Sequence, residues 1–294
     1  MIIQWWKISP FNKILLEFFY RDIAHNTYIM IIKRLSNDLK KYGEYITYAS
    51  KAELKTEVSG SFLGWIWWVL DPLLFMLVYT FVVSFVFESG GEDFPIFVFV
   101  GLTAWNFMNN TITSSVKIIV SFRSIISKVY LPKFVLILVR MYKNLIKLGI
   151  SFILVFILMI FFNVEYSWKL IFLLPIVIVH SITTFAISVF VAHIGVFVAD
   201  SVNIVNVILR FLFYVSGTLY SIAERIPEPF QTIMLHVNPI ASIIQEYRNV
   251  IMYQSFPSLY YLFYWLVIGI ILSLASLSLM YRYENTYVKV VQNG

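Results

Sequence analysis

Two ionisable side chains interrupt long apolar runs, and they are the first candidates for chemistry. Asp71 lies near the start of an apolar run at 65–87, and Arg210 lies inside another run at 202–222. A charged group at the centre of a bilayer costs on the order of 3 kcal/mol, so its presence calls for a functional explanation. At 1.5 Å per residue, both lie roughly 9 to 12 Å from the cytoplasmic edge. We expect them to face the protein interior near one another as an ion pair. The alternative is that each reaches the interface or bonds locally.

The sequence lacks the common arrangements of catalytic residues. It contains no G-x-x-x-x-G-K-S/T phosphate loop, no H-E-x-x-H, C-x-x-C or G-x-S-x-G pattern, and no cysteine. His180 and His193 are 13 residues apart, unlike the i, i+4 pair of a helical metal site. The chain therefore cannot bind ATP through a phosphate loop, and we expect no catalytic residue, cofactor or metal ion on it.

Composition and hydropathy place these residues in a membrane. The chain is 60% hydrophobic and only 13% charged, whereas charged residues make up about a quarter of a soluble domain. Runs such as 170–199 and 257–281 contain no Asp, Glu, Lys or Arg and exceed the roughly 20 residues that cross a bilayer. We predict an all-α integral membrane protein with six transmembrane helices. They are predicted near 65–87, 94–116, 148–162, 170–199, 202–222 and 258–281.

Shorter segments are predicted to lie at the membrane surface. We divide the chain into a basic N-terminal extension (1–43), an amphipathic interface helix (44–62), a six-helix transmembrane domain (63–285) and a cytoplasmic tail (286–294). Apolar residues recur at three- and four-residue steps over 117–131, which predicts an amphipathic helix between the second and third spans. Prolines cut 223–256 into pieces too short to cross, which predicts two short re-entrant helices between the fifth and sixth spans.

The distribution of cations predicts the orientation. With six spans, 1–64 contribute nine Lys and Arg, 117–147 seven and the tail two, which gives 18 on one side. The other side has three, Lys169, Arg225 and Arg248, and Arg210 lies within a span. By the positive-inside rule both termini should be cytoplasmic and the proline-rich segment should face outward. Cations beside apolar runs favour contact with membrane lipids and not with nucleic acid.

Aromatic residues make up 18% of the chain, and most of them should anchor or pack the helices. Five others lie in the second and fifth predicted spans and in the proline-rich segment. Because aromatic faces stack on sugar rings, these residues are candidates for lining a substrate path; the alternative is simple packing. The candidates are Trp105, Tyr214, Tyr220, Tyr247 and Tyr253.

Three segments resemble a known family. SFLGWIWWVLDPLLFMLVYTFVVSFVF (61–87) is similar to the entry to the first span in transmembrane subunits of polysaccharide-exporting ABC transporters, the type 2 permeases for O-antigen, capsular and teichoic acid polymers. Leu63, Gly64 and Pro72 match, and Asp71 stands where the family usually has Asn. SIISKVYLPKFVL (124–136) and VNPIASIIQEYRNVIMY (237–253) resemble a cytoplasmic loop and an Asn-Pro plus Glu-x-x-Arg segment, the latter one residue shorter. The resemblance covers about 44–285.

The resemblance implies an assembly and the roles of several residues. Two copies of the chain would form a channel at their interface, and two ATPase subunits carrying ATP and Mg²⁺ would dock below. The residues implied in docking are Leu63, Gly64, Lys117, Arg123 and Lys128. The proline-rich segment would form an outer gate. Its candidate residues are Pro227, Pro229, Asn238, Pro239, Glu246 and Arg248.

We therefore expect a bacterial cytoplasmic-membrane subunit that exports a lipid-linked polysaccharide or teichoic acid polymer. One alternative is a type 2 permease for small amphiphiles such as drugs or lipids, with a narrow aliphatic pathway. Another is a membrane-embedded glycosyl or acyl transferase, which would need a reactive His or an acidic pair facing a cavity.

Overall fold

The structure is a computed structural model that describes residues 10–88 and 91–293, with side chains for 30–88 and 91–290. The described residues form α-helices and contain no β-strand. The helices are α1 (Pro10–Ser59), α2 (Trp67–Phe81), α3 (Phe94–Ser115), α4 (Ile118–Ser121), α5 (Arg123–Ile126), α6 (Lys133–Phe161), α7 (Leu173–Phe197), α8 (Ser201–Val215), α9 (Ile222–Arg225), α10 (Phe230–Val237), α11 (Pro239–Ile251), α12 (Leu259–Arg282) and α13 (Glu284–Asn293). A 3₁₀ turn precedes α2 and another precedes α7, and a π-helical turn, Val82–Val86, follows α2.

The chain forms two compact units, with the boundary between Gly43 and Glu44. The first includes residues 10–43 of α1, where Arg34 and Asp38 form an i, i+4 ion pair of 3.9 Å. The second, residues 44–294, contains all the sites described below. The predicted interface helix at 44–62 is helical up to Ser59.

Four helical segments in the described residues are long and apolar enough to cross a membrane. They are Gly64–Val86, Lys133–Phe161, Trp168–Phe197 and Leu259–Arg282. They agree with the predicted first, third, fourth and sixth spans, and they make the chain a multi-pass membrane protein. The third span begins earlier than 148 because the cationic turns that carry Arg140, Lys143 and Lys147 are part of the same continuous helix.

The other two predicted spans differ in their structure. α3 has the length of a span but carries Asn109 and Asn110 in its second half. α8 ends at Val215, so the prediction that the fifth span continues to 222 is wrong. The chain turns there because Asn238 donates a 2.8 Å hydrogen bond to Ser216 Oγ and the following carbonyls turn toward Arg248.

α3 is the central helix of the second unit. It packs against α2, α6, α7, α8 and α11, and most of its side chains from Ile96 to Ile112 are buried. α7 and α12 pack along each other beside it. Its mixed apolar and polar sequence follows from this position, because a helix surrounded by protein on most sides need not be apolar along its whole length.

The cationic segments meet at one end of this unit. Ser50 on α1 donates a 2.9 Å hydrogen bond to the carbonyl of Val139 on α6. Tyr130, just before α6, contacts Glu284 of α13 at 3.3 Å. At the opposite end, Lys169 donates a 2.6 Å hydrogen bond to the carbonyl of Gln254. The fold therefore brings together, at one end, the cationic segments that the charge count places on the same side of the membrane.

Two of the predicted surface elements require correction. The helix predicted over 117–131 is broken at Phe122 into α4 and α5, and its predicted apolar face is divided, because Ile118 and Ile126 are buried whereas Ile125 is 43% exposed. The proline-rich segment contains three helices, α9, α10 and α11, where two were predicted. The tail expected after the last span is largely the helix α13.

Candidate functional site

An ionic ladder joins α1 to α6 at the cation-rich end. Glu53 and Glu57 lie one turn apart on α1, and Arg140, Lys143 and Lys147 share one face of α6, so the two rows can interlock. Arg140 binds Glu53 at 2.7 Å, Lys143 lies 3.7 Å from Glu53 and 3.3 Å from Glu57, and Lys147 pairs with Glu57. Burial alone would raise the pKa of Glu57, but its two lysine partners lower it. The ladder therefore keeps this carboxylate charged.

The ladder borders a polar cavity of about 770 Å³ between α1, α3 and α6. Asn109, Asn110, Thr113 and Ser114 line it from α3, and Asn144 lines it from α6. A second cavity of about 410 Å³ shares Glu57, Asn109, Asn110, Asn144 and Lys147 with the first. The two cavities together form a polar region beside helices that are otherwise suited to lipid.

Asp71 lines the second cavity together with Trp67, Trp68 and Lys147. Lys147 Nζ lies 5.0 Å from the centre of the Trp68 ring, a cation–π distance. Asp71 thus shares the cavity with Lys147 and with the amides of Asn106, Asn109 and Asn110, which provide the polar surroundings that a carboxylate at this depth requires.

Arg210 lines a different surface groove of about 360 Å³. Its neighbours in the groove include Trp105, Asn109 and Asn206. In the described part of the chain no ion pair joins Arg210 to Asp71, so the predicted pairing is not present within one subunit. Counting residues along each predicted helix placed both side chains at a similar depth in the membrane. It could not show the direction in which each side chain points around its helix.

One face of α8 carries Asn203, Asn206 and Arg210 at i, i+3 and i+7, and all three are exposed. Polar and charged groups are costly against hydrocarbon, and in membrane helices such residues almost always face other protein or water. This face of α8 is therefore better suited to contact with water or protein than with lipid.

The five aromatic path candidates lie in three places. Trp105 and Tyr214 line the Arg210 groove, and Phe213 packs between them with ring centroids 5.3 Å from each. Tyr220 and Tyr253 line a separate cavity of about 660 Å³ at the opposite end from the ladder. Tyr247 is 0% exposed and packs on Phe152 and His180, so the structure corrects its assignment from path to core.

Arg248, predicted at the outer gate, is a buried cross-link between three parts of the fold. It is 1% exposed. Its guanidinium donates to the carbonyls of Gly217 and Thr218 at 2.7 Å each, and to those of Phe97 at 3.2 Å and Tyr220 at 3.4 Å. It thereby fixes α11 to the start of α3 and to the loop after α8.

The other gate candidates stabilise the same segment or lie at its surface. Glu246 is 2% exposed and accepts a 2.7 Å hydrogen bond from the Ser258 N–H, just before α12. Asn238 caps α11, with its side chain accepting from the Ala241 N–H at 3.4 Å, and Pro239 is the first residue of that helix. Pro227 and Pro229 are exposed ahead of α10.

The docking candidates lie at the cation-rich end. Gly64 has φ +49°, which favours glycine where the chain turns from α1 into α2. Arg123 and Lys128 are exposed in and after α5. Lys117 has an internal role, because its Nζ donates to the carbonyls of Gly195 at 2.8 Å and Val198 at 2.9 Å at the end of α7. Its docking role stays a prediction.

Sequence reasoning missed the helix α13 and its contacts. Tyr287 is 0% exposed, and its hydroxyl lies 2.6 Å from His193 Nδ1 on α7. α13 also packs against α5. The spacing of Tyr283, Tyr287 and Val290 at four- and three-residue steps was the available signal for an amphipathic helix.

The comparisons with known proteins agree with this architecture. The family model described as ABC-2 type transporter matches residues 45–252. A Myxococcus xanthus protein named O-antigen export system permease protein RfbA is 29% identical over 225 residues, which cover 76% of this chain and 86% of the relative. A Klebsiella pneumoniae protein of the same name is 25% identical over 260 residues, which cover 84% of this chain and 95% of the relative.

The matched region runs from the interface part of α1, through the ladder and the Arg210 groove, to the residues that follow Arg248. It comprises well over half of the chain and includes the first two segments on which the sequence resemblance rested, and the third except for its last residue. The chain is a membrane-embedded member of the ABC-2 type transporter family.

Proposed function

We propose that this chain is the permease subunit of an ATP-driven exporter that moves a lipid-linked polysaccharide or teichoic acid polymer out across the bacterial cytoplasmic membrane. The observation that carries the proposal is the Arg210 groove. There, a charged and amide-bearing face of α8 lies beside Trp105 and Tyr214 within a membrane-embedded fold. The two relatives named as O-antigen export permeases support the same substrate class.

The polymer would pass between two copies of the chain. The exposed face of α8 that carries Asn203, Asn206 and Arg210 would then border an aqueous path and be shielded from lipid. Aromatic rings beside it would offer a surface on which successive sugars slide without being held tightly. In this arrangement α3, and α8 together with the buried turn at 216–219 that follows it, would complete six crossings with the four longer spans, and α9 to α11 would lie at the outer side.

Energy would come from two separate ATPase subunits that carry ATP and Mg²⁺. The exposed residues of α4 and α5, together with the turn at Gly64, would receive them on the cytoplasmic side. The sequence carries no phosphate loop, so the chain would need such a partner to use ATP. Both termini would be cytoplasmic, in agreement with the cation count.

The polar cavities beside the ionic ladder would admit the head group of the lipid carrier. They open between α1, α3 and α6 at the cation-rich end, where a carrier lipid would approach from the inner leaflet. The amides of Asn109 and Asn110 could donate to and accept from a polar head group while the ladder stays intact.

The alternative, a permease for small amphiphiles, is weakened by the same groove. A narrow aliphatic pathway does not require Arg210, Asn206 and two aromatic side chains on one surface.

The test is controlled depletion of the chain in its host, followed by measurement of surface polymer on intact cells and total polymer after permeabilisation. We expect polymer to disappear from the surface and accumulate inside, and we expect re-expression of the wild-type chain to restore it. Unchanged surface polymer after depletion would refute the proposal. Altered efflux of small amphiphiles with normal surface polymer would favour the alternative.

A further inference from the structure

The cavity lined by Tyr220 and Tyr253, which we call the outer cavity, is separate from the Arg210 groove. The proposed function does not use it. Its volume is about 660 Å³, within the range of ligand-binding pockets. It lies between the end of α2, the start of α3, the loop and short helix that follow α8, and the residues after α11. These elements come from three separate stretches of the chain and are all at the end opposite the ionic ladder.

The walls of this cavity are held in place by buried contacts. Arg248 binds carbonyls on two sides of it, Phe97 at the start of α3 and Gly217, Thr218 and Tyr220 in the loop after α8. The Arg248 guanidinium carbon also lies 3.4 Å from the centre of the Phe97 ring. A ligand would therefore meet a preformed surface and would not have to order it, which lowers the cost of binding.

One wall is aromatic. Tyr79 and Phe94 stack with ring centroids 6.0 Å apart, and Phe94 and Phe97 stack at 6.1 Å. Tyr220 and Tyr253 contribute from the other side, and Tyr253 is 48% exposed. Aromatic rings that are partly accessible offer flat apolar faces with polar edges.

Carboxylates stand beside the aromatic surface. Asp93 and Glu224 line the cavity and are both exposed, with Arg225 next to Glu224. The pKa of Tyr253 is raised, chiefly by burial; the charge of Arg248 opposes this and that of Glu224 adds to it. The Tyr253 hydroxyl therefore stays protonated at neutral pH and can donate a hydrogen bond to a ligand.

We infer that this cavity is a carbohydrate-binding site on the outer face of each subunit, which takes a short stretch of the polymer as it leaves. A sugar ring presents a C–H face that packs on an aromatic ring, and hydroxyl groups that donate to carboxylates, and the cavity supplies both partners. A lipid tail would leave Asp93 and Glu224 without a function. The inference rests on the proposed export of a polysaccharide and adds a second point of contact with it.

The test is binding of oligosaccharides to the full chain in lipid nanodiscs, measured by saturation-transfer difference NMR. The probes are short oligosaccharides released by mild acid from the host's own surface polymer, with maltotriose as an unrelated sugar. We expect the host oligosaccharides to bind more tightly than maltotriose. We expect Glu224→Gln and Tyr253→Ser each to weaken binding about fivefold or more, the effect of one ordinary hydrogen bond or stacking contact.

Two matched variants control the experiment. Tyr253→Phe keeps the ring and should retain more binding than Tyr253→Ser. Glu165→Gln changes an exposed glutamate outside the cavity and should bind as the wild type does. The melting temperature of each variant, measured in the same nanodiscs, shows that the fold is kept.

The inference is overturned if folded Glu224→Gln and Tyr253→Ser bind the host oligosaccharides as the wild type does, or if the wild type does not bind them while cells still export polymer. In either case the proposed function stands. If depletion of the chain leaves surface polymer unchanged, the proposed function itself fails.

Discussion

At the scale of single residues, the outer half of the fold depends on Arg248. A buried guanidinium is stable only when its donors are satisfied, and here four backbone carbonyls satisfy it. Three of those carbonyls, of Gly217, Thr218 and Tyr220, belong to the turn that follows α8, and the fourth, of Phe97, belongs to the start of α3. Replacement of Arg248 would therefore leave these buried carbonyls without their hydrogen-bond donor.

We predict that Arg248→Met destabilises the chain by about 3–5 kcal/mol, because methionine fills part of the space but donates no hydrogen bond. The measurement is thermal unfolding of the purified chain in detergent. Arg225→Met removes an exposed arginine from the same end and should change the melting temperature little. Equal melting temperatures for the two variants would show that Arg248 does not hold the turn.

Gly101 is required by the same cluster. A Cβ at this position would lie 2.4 Å from the Thr218 carbonyl oxygen and 2.7 Å from Arg248 Nη2. We predict that Gly101→Ala lowers the melting temperature, although alanine in a helix normally stabilises by about 1 kcal/mol relative to glycine. Gly149→Ala in α6 is the control, because no atom lies within 4 Å of its Cβ, and it should be neutral or stabilising. A Gly101→Ala variant as stable as Gly149→Ala would contradict the packing described here.

Residue roles were predictable from the sequence only in part. Unfavourable charges identified Asp71 and Arg210 as unusual, and each does line a polar cavity or groove. Their pairing was not predictable, because neighbouring helical residues point about 100° apart and depth along the membrane leaves that angle open. For the same reason Tyr247 was grouped with path residues although it faces the core.

At the scale of helices, the cation-rich end is built from short elements held by polar contacts. Lys117 joins the start of α4 to the end of α7, where the carbonyls of a helix C-terminus attract a cation. α13 packs against α5 and α7. The elements proposed to meet the ATPase are thus supported from within the chain, and a push on α4 or α5 would reach α7 through these contacts.

We predict different outcomes for two lysines in this region. Lys117→Met should lower the free energy of unfolding by about 1–2 kcal/mol, and with it the melting temperature, because it removes the cation from the end of α7. Lys128→Glu should leave the melting temperature unchanged and abolish recovery of the ATPase subunit in a pull-down. If Lys117→Met melts as the wild type does, Lys117 does not cap α7. If Lys128→Glu still recovers the ATPase, the region after α5 is not the dock.

Helix periodicity predicted the long elements well, since an uncharged run of sufficient length has few other structures available in a membrane. It failed at the short ones. The apolar pattern over 117–131 continues through Phe122, but the helix breaks there, and the two halves have different neighbours: α4 packs against α6 and α7, whereas α5 packs against α13. α13 was missed because its packing partners, His193 and the end of α7, are far away in the sequence.

At the scale of the whole molecule, the ionic ladder and the outer cavity should lie on opposite sides of the membrane if the chain exports polymer as proposed. The chain contains no cysteine, so single-cysteine variants report their own position without interference. We predict that Glu228→Cys is labelled by an impermeant maleimide on intact cells, whereas Lys128→Cys is labelled only after permeabilisation. Labelling of both from the same side would contradict the topology.

The central claim is that polymer passes along α8. The most direct test places a photo-crosslinking phenylalanine at Tyr214 in the Arg210 groove, in cells whose ATPase is stalled during export. Phe263, which is 67% exposed on α12, is the control position. We predict that illumination crosslinks polymer of several lengths to the chain at position 214 and crosslinks no polymer at position 263. No polymer captured at 214 in cells that exported polymer until the ATPase was stalled, or equal capture at both positions, would contradict the account.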